Sequence, residues 1–124
     1  MFSDRLEEEL RRCPEGTREA LVAFLENGNS SDFETFARGV LVRNIDEDYH
    51  DVLLSGSDDL RFVEDLGVDS LSMIEIAINF EDALGIALID DELKEMRTLG
   101  EVKEHLLKRY KEKNSGSGKN TKTP

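Results

Sequence analysis

Apolar residues recur along this chain at spacings of three and four, the pattern of helix faces turned toward a core. Leu6 and Leu10 stand four apart behind Ser3, and Leu21, Val22 and Leu25 follow Pro14, so two short helices are expected within the first 27 residues. Asn27-Gly28-Asn29 is turn chemistry. Ser31 and Glu34 then read as an S-x-x-E capping box for a helix over 32–43, striped by Phe33, Phe36, Ala37, Val40 and Leu41. From Ile45 to Asp69 the pattern is mixed. Ile45, Tyr49, Val52 and Leu53 allow one short helix, Ser55-Gly56-Ser57-Asp58-Asp59 breaks it, and the rest reads as a long loop anchored by Leu60, Phe62, Val63 and Leu66. Asp69 is placed to cap a helix from Ser70 to Leu84, with Gly85 as its left-handed stop. A short helix near 90–96 follows, begun by Asp90 and Asp91, and Thr98 with Glu101 forms a second capping box ahead of Leu99, Val102, Leu106 and Tyr110. Beyond Lys113 the apolar positions stop, and the Ser/Gly/Lys/Asn-rich tail is expected to be disordered and is assigned no function.

The elements are therefore all helical. Composition agrees: tryptophan is absent, proline occurs twice, and helix formers are plentiful among the 124 residues. Acidic side chains number 28 against 16 basic ones, a net charge of -12, which repels nucleic acid and anionic membrane and calls for basic partners. Cys13 is the sole cysteine, so no internal disulfide forms, and it reads as a small side chain near a helix end. Charged residues follow Met1 directly instead of an apolar run, and no stretch approaches the roughly 20 apolar residues that span a bilayer, so a cytoplasmic protein with no membrane insertion is expected.

The candidate chemistry lies at Ser70. A serine in the first turn of a helix suits a phosphodiester, because free N–H groups and the positive end of the helix dipole both favour phosphate there. Gly67 lets the chain bend sharply into that helix. Read plainly, Asp69 and Ser70 are ordinary helix-start residues. Asp69-Ser70-Leu71 also bears a superficial likeness to the G-D-S-L hydrolases, but that reading needs a histidine held by a third group. The chain has only His50 and His105, with no strand-to-turn context and no downstream D-x-x-H. The acidic run Asp46-Glu47-Asp48 to Asp51 fails as a calcium loop, since its sixth position is Asp51 where glycine is required, so no metal site is expected.

Phe62-Val63-Glu64-Asp65-Leu66-Gly67-Val68-Asp69-Ser70-Leu71 resembles the modification motif of acyl carrier proteins, and the similarity continues without a gap to about Tyr110. The resemblance implies a non-catalytic four-helix bundle carrying 4′-phosphopantetheine. A phosphopantetheinyl transferase (holo-synthase) takes that group from coenzyme A and attaches it to Ser70, flanked by Asp69 and Leu71, and its thiol holds acyl cargo as a thioester. Residues 31–112 are expected to form the carrier domain, with 1–30 as an N-terminal helical extension and 113–124 as the disordered tail, and the protein is expected to be a monomer. Three departures bear on specialisation: Ile89 stands where the family commonly has proline, the Ile45–Leu60 region is several residues longer than usual, and the first 30 residues have no counterpart in a minimal carrier. They suit a protein dedicated to one pathway, an extension that selects partners, or simply extra packing.

On the Ser70–Leu84 helix, Met73, Ala77, Phe80 and Leu84 share a core face, while Ser72, Glu75, Asn79 and Asp82 make a polar stripe. Leu71, Ile74 and Ile78 add a second apolar row, more than a helix covered on one side needs. By resemblance, Leu71 and Ile78 would touch acyl-transferring and chain-extending enzymes, and Asp65, Glu75, Glu81 and Asp82 would meet the basic docking patches of those enzymes. A fold-back acyl pocket would be walled by Phe62, Met73, Phe80, Leu93, Met96 and Val102, which core packing explains equally well. An aminoacyl or peptidyl carrier and an unmodified interaction module are the competing functional readings.

Overall fold

The structure is a computed structural model that describes residues 2–88 and 90–122. The departure at Ile89 lies outside the described residues. Seven α-helices are described: α1 (Asp4–Arg12), α2 (Thr17–Asn27), α3 (Ser30–Asn44), α4 (His50–Ser55), α5 (Ser70–Leu84), α6 (Asp90–Glu95) and α7 (Leu99–Lys122). A 3-10 turn over Glu47–Tyr49 leads into α4. The expected all-α class holds. The short helix allowed around Ile45–Leu53 is present as the 3-10 turn and α4, ending at Ser55, and Asp46 caps the first turn by accepting the Asp48 N–H at 2.9 Å.

Local signals account for several helix ends. Ser3 Oγ accepts the Leu6 N–H at 3.1 Å and starts α1. Thr98 Oγ1 accepts the Glu101 N–H at 3.2 Å, and Glu101 reaches back to the N–H groups of Thr98 and Arg97, each at 3.0 Å, which is the reciprocal capping box of the sequence pattern. Two starts differ from expectation. Helix α2 begins at Thr17 behind Gly16, three residues past Pro14, whose carbonyl accepts the Thr17 hydroxyl at 2.7 Å. Helix α3 is capped by Asn29, whose Oδ1 accepts the Ser31 N–H at 2.8 Å, because Glu34 is drawn into ion pairs with Arg38 and Lys103 instead of folding back on Ser31.

The first two helices are part of the main core. Leu6, Leu10, Ala20, Leu21 and Phe24 bury into the same cluster as Phe33, Phe36, Leu53, Phe80 and Leu106. A row of aromatic rings crosses the molecule from Tyr110 on α7 through Phe24 on α2 and Phe33 and Phe36 on α3 to Phe80 on α5, with centroids 5.0–6.2 Å apart. Cys13 closes α1, its Sγ 3.4 Å from the Glu9 carbonyl, and burial pushes its thiol up to about 11, with Glu9 adding to the effect. Such a thiol is a poor nucleophile. Past Tyr110, α7 continues as helix to Lys122, where the sequence predicts disorder from Lys113. Turns added to a formed helix avoid the cost of nucleation, so apolar anchors are not required for each of them.

Residues 56–69 cross the bundle without helix, and main-chain bonds hold them to the start of α7. The N–H groups of Phe62, Leu99 and Gly100 donate to the carbonyls of Arg97, Leu60 and Asp58, each at 2.9 Å, and Arg61 bridges Thr98. Phe62, Leu66 and Val68 plug into the core, whereas Val63, an expected anchor, is 68% exposed. Beneath them lies a charged knot. Arg38 donates to the carbonyls of Leu53 and Gly56 and pairs with Glu34, and Lys103 pairs with both Glu34 and Asp58. Burial works to raise the pKa of Glu34, but hydrogen bonds from Lys103 and Arg38 outweigh it and hold the carboxyl below its usual range. Burial likewise disfavours the charged Lys103, yet Asp58 and Glu34 raise it above the ordinary lysine value.

Two predictions follow from this packing. A Cβ added at Gly39 meets the Oγ1 and Cγ2 of buried Thr17 at 2.2 and 2.7 Å where α2 crosses α3. Overpacking outweighs the helix-propensity gain, so Gly39→Ala destabilises by about 1–2 kcal/mol, read as a lower urea midpoint at unchanged slope. Because the pKa of Glu34 is depressed, its contribution is present above the ordinary value of 4.5 and is lost as pH falls through the folded value. Glu34→Gln therefore flattens the acid limb of a stability-against-pH curve measured by urea titration, leaving a smaller loss of stability below pH 4.5 than in the parent.

Candidate functional site

Ser70 is the first residue of α5 and is exposed. Three local features set its position. Gly67 adopts φ +65°, in the left-handed region, and an added Cβ would sit 2.7 Å from the Tyr49 ring, so both conformation and space require glycine. The Val68 N–H then donates to the Phe62 carbonyl at 2.9 Å, closing the turn. Asp69 Oδ1 accepts the Ser72 N–H at 2.8 Å as the helix cap, and that backbone hydrogen bond is the main reason its carboxyl sits below the usual aspartate range.

Beside Ser70 opens a cleft of about 380 Å³, at the small end of ligand-sized cavities. Phe62, Met73, Leu93 and Met96 from the sequence-derived set line it together with Asp69 and Ser70. Phe80 and Val102 do not. Both are buried in the core, Phe80 edge-on to Phe36 at 5.7 Å. Met73 and Phe80 share a face, but seven residues of helix separate them by about 10 Å along the axis, which removes Phe80 from a cleft at the N-terminal end. Val68, Lys94 and Arg97 also line the cleft and were not singled out in the sequence. Glu64 lines the cleft as well, so Lys94 and Arg97 bring positive charge to a lining that also holds the carboxylates of Glu64 and Asp69.

Leu71, Ile74 and Ile78 run along the outside of α5 at 64, 48 and 40% exposure, and Glu75 beside them is exposed. The other expected docking acids have partners within the chain. Asp65 accepts the Arg61 N–H at 2.8 Å and pairs with its guanidinium, the backbone bond being the chief cause of its lowered pKa. Glu81 accepts the Leu88 N–H at 2.6 Å and closes the turn after α5, where Gly85 supplies the left-handed end. Asp82 is held by both Nε and Nη2 of Arg5 from α1, at 3.0 and 2.8 Å.

The two histidines are engaged elsewhere. The Nε2 of His50 lies 3.3 Å from the Ile45 carbonyl and that of His105 lies 2.6 Å from Glu92. Ser70 thus has the exposure and helix-start position of an attachment point, without the histidine that activates a serine nucleophile. This is the arrangement of a covalent-carrier module. A family model described as "Phosphopantetheine attachment site" matches residues 46–106, which contain Ser70, the cleft, helices α4 to α6 and the start of α7. The chain is 44% identical over 50 residues to an acyl carrier protein of Rhodococcus erythropolis, covering 40% of this chain and 55% of that protein. It is 47% identical over 47 residues to the meromycolate extension acyl carrier protein of Mycolicibacterium aurum, 38% of this chain and 48% of the relative. An acyl carrier protein of Thermobifida fusca is 45% identical over 47 residues, 38% of this chain and 60% of its own length. The chain spans about half the length of the curated relatives it matches. No solved structure matches it significantly.

Residues 46–106 thus match the phosphopantetheine-attachment family, and the relatives that this chain resembles are acyl carrier proteins. The family's prosthetic group is 4′-phosphopantetheine, held covalently. The residues here fit it: an exposed serine hydroxyl stands at the start of a 15-residue helix, where the helix dipole favours an anion, and a largely apolar cleft, with Lys94 and Arg97 among its charged residues, lies alongside.

The cap generates a test of how Ser70 is held. Asp69→Ala leaves the Ser72 amide without its acceptor, so hydrogen exchange at Ser72 accelerates while exchange in the middle of α5, at Ala77 and Phe80, changes little. Equal acceleration along the whole helix would mean that Asp69 supports the global fold and not the first turn.

Proposed function

We propose that the protein is an acyl carrier in which Ser70 takes 4′-phosphopantetheine from coenzyme A through a phosphopantetheinyl transferase. The arm supplies a mobile thiol on which acyl intermediates travel as thioesters, and the protein's own residues position and shield that cargo. The observation behind this reading is an exposed serine on the first turn of α5, beside an apolar cleft and within the segment that matches the attachment-site family.

The cargo would be fatty acyl or a related lipid or polyketide intermediate. The phrase "meromycolate extension" in a relative's name and the apolar cleft both favour such a chain over an aminoacyl group. Met73, half-buried at the cleft wall, and Met96 are deformable side chains suited to opening around a chain of variable length. Each methylene shielded there contributes about 0.8 kcal/mol before ordering costs, a gain that a partner enzyme can reverse. Lys94 and Arg97 would face the negative charge of the arm's phosphodiester.

Partner enzymes would be basic, as the charge of -12 requires, and would lie on Leu71, Ile74 and Ile78 with Glu75 beside them. The complex would be weak and salt-sensitive, allowing release after each step. Tethering raises the effective concentration of cargo at each enzyme. A monomer working in the cytoplasm suits this role, and among the described residues no helix is long and apolar enough to cross a membrane.

The test is intact-protein mass after incubation with coenzyme A and a broad-specificity phosphopantetheinyl transferase. One phosphopantetheine is expected on the parent and none on Ser70→Ala. Modification of Ser70→Ala would move the site to another serine, and a folded parent that gains no mass would favour an unmodified interaction module.

A further inference from the structure

A protein that approaches Ser70 along α5 covers the exposed row Leu71, Ile74 and Ile78, and Ile78 lies about 12 Å from Ser70 along the helix axis. One further turn brings it to Asp82. There the surface is no longer that of α5 alone. Helix α1 lies against α5, and a groove of about 310 Å³ between α1, α3 and α5 has Arg5, Glu9, Arg43, Glu75, Ile78 and Asp82 in its walls. The apolar row therefore runs directly into a groove built partly by the N-terminal helix.

Helix α1 is firmly seated there. Leu6 and Leu10 are each 4% exposed in the core, Arg18 of α2 makes two hydrogen bonds to Glu7 at 2.9 Å, and Arg43 of α3 pairs with Glu9 at 3.6 Å. Arg5 adds to these ties from the surface. Its side chain is 70% exposed, yet its fork closes on both oxygens of Asp82, whose own side chain is 22% exposed. The pair offsets the charge of Asp82 at the far end of α5, where Glu81 turns its carboxylate to the Leu88 amide, while Glu75, and Glu64 near Ser70, remain exposed.

We infer that Arg5 is a specificity residue for docking: it occupies the place at Asp82 that a partner's cation would take. The surface selects an enzyme that is basic opposite the Ser70 end of α5 and neutral or acidic opposite Asp82. This rests on the carrier function proposed above. An exposed pair is worth a few-fold in equilibrium, so Arg5 biases the choice of partner without closing the surface.

The test uses the full chain in its apo form as the protein substrate of a broad-specificity phosphopantetheinyl transferase with a basic docking face, at low salt. Arg5→Ala is expected to lower KM about two- to fivefold with little change in kcat, and Arg5→Glu to lower it further. Added salt should shrink both effects. Asp82→Asn should raise KM several-fold in the Arg5→Ala background and by less in the parent, a coupling that a merely structural ion pair does not produce. Arg5→Gln, with thermal melts of every variant, separates docking from loss of fold. Unchanged KM in both Arg5→Ala and Arg5→Glu, or equal costs of Asp82→Asn in both backgrounds, overturns the inference. A parent chain that accepts no phosphopantetheine at all would instead refute the carrier reading.

Discussion

The structure depends on holding residues 56–69 in place although they form no helix. This segment delivers Gly67, Asp69 and the start of α5, and its main-chain polar groups must be paired if it is to lie against an apolar bundle. Three hydrogen bonds to Arg97 and the first residues of α7 do much of this, and Arg38 and Lys103 secure the chain through carbonyls and carboxylates. With the segment fixed, Phe62 and Val68 reach the core, and Gly67 turns the chain over Tyr49. Ser70 then emerges at a defined point beside the cleft. A looser connection would leave the same serine on a fraying helix end, with no fixed relation to Met73, Leu93 or Met96.

Helix α5 serves two environments. Ile76, Ala77, Phe80, Ala83 and Leu84 are buried, and the opposite side keeps Leu71, Ile74 and Ile78 in water. Exposing three large aliphatic side chains in a row costs solubility, and the excess negative charge offsets this by keeping copies apart. The charge is not spread evenly over the helix. Asp82 is ion-paired with Arg5 and Glu81 is turned to the Leu88 amide, whereas Glu75, nearer Ser70, is exposed and unpaired with any cation among the described contacts. The N-terminal helices thus do more than enlarge the core: they shape the electrostatics of the surface beside which the serine sits.

Sequence legibility followed the range of each interaction. The all-helical class, the Asp69 cap, the Gly85 stop and the Thr98–Glu101 box could be read because each involves partners within a few residues, where helix geometry alone brings them together. The core face of α5 was legible for the same reason, since periodicity encodes which side is apolar. The motif around Ser70 carried the resemblance to acyl carriers.

What only the tertiary structure decided came from partners far apart in the chain. Glu34 left its expected capping box because Lys103, 69 residues away, and Arg38 compete for its carboxylate. Phe80 and Val102 went to the core and not the cleft because depth along a helix axis is invisible to periodicity, which records only direction around it. Asp82 looked like a free docking acid until Arg5, 77 residues distant, was found beside it. A charge pattern in one dimension specifies which groups can pair; the packing of α1 on α5 decides which of them meet, because ion pairs form between neighbours in space.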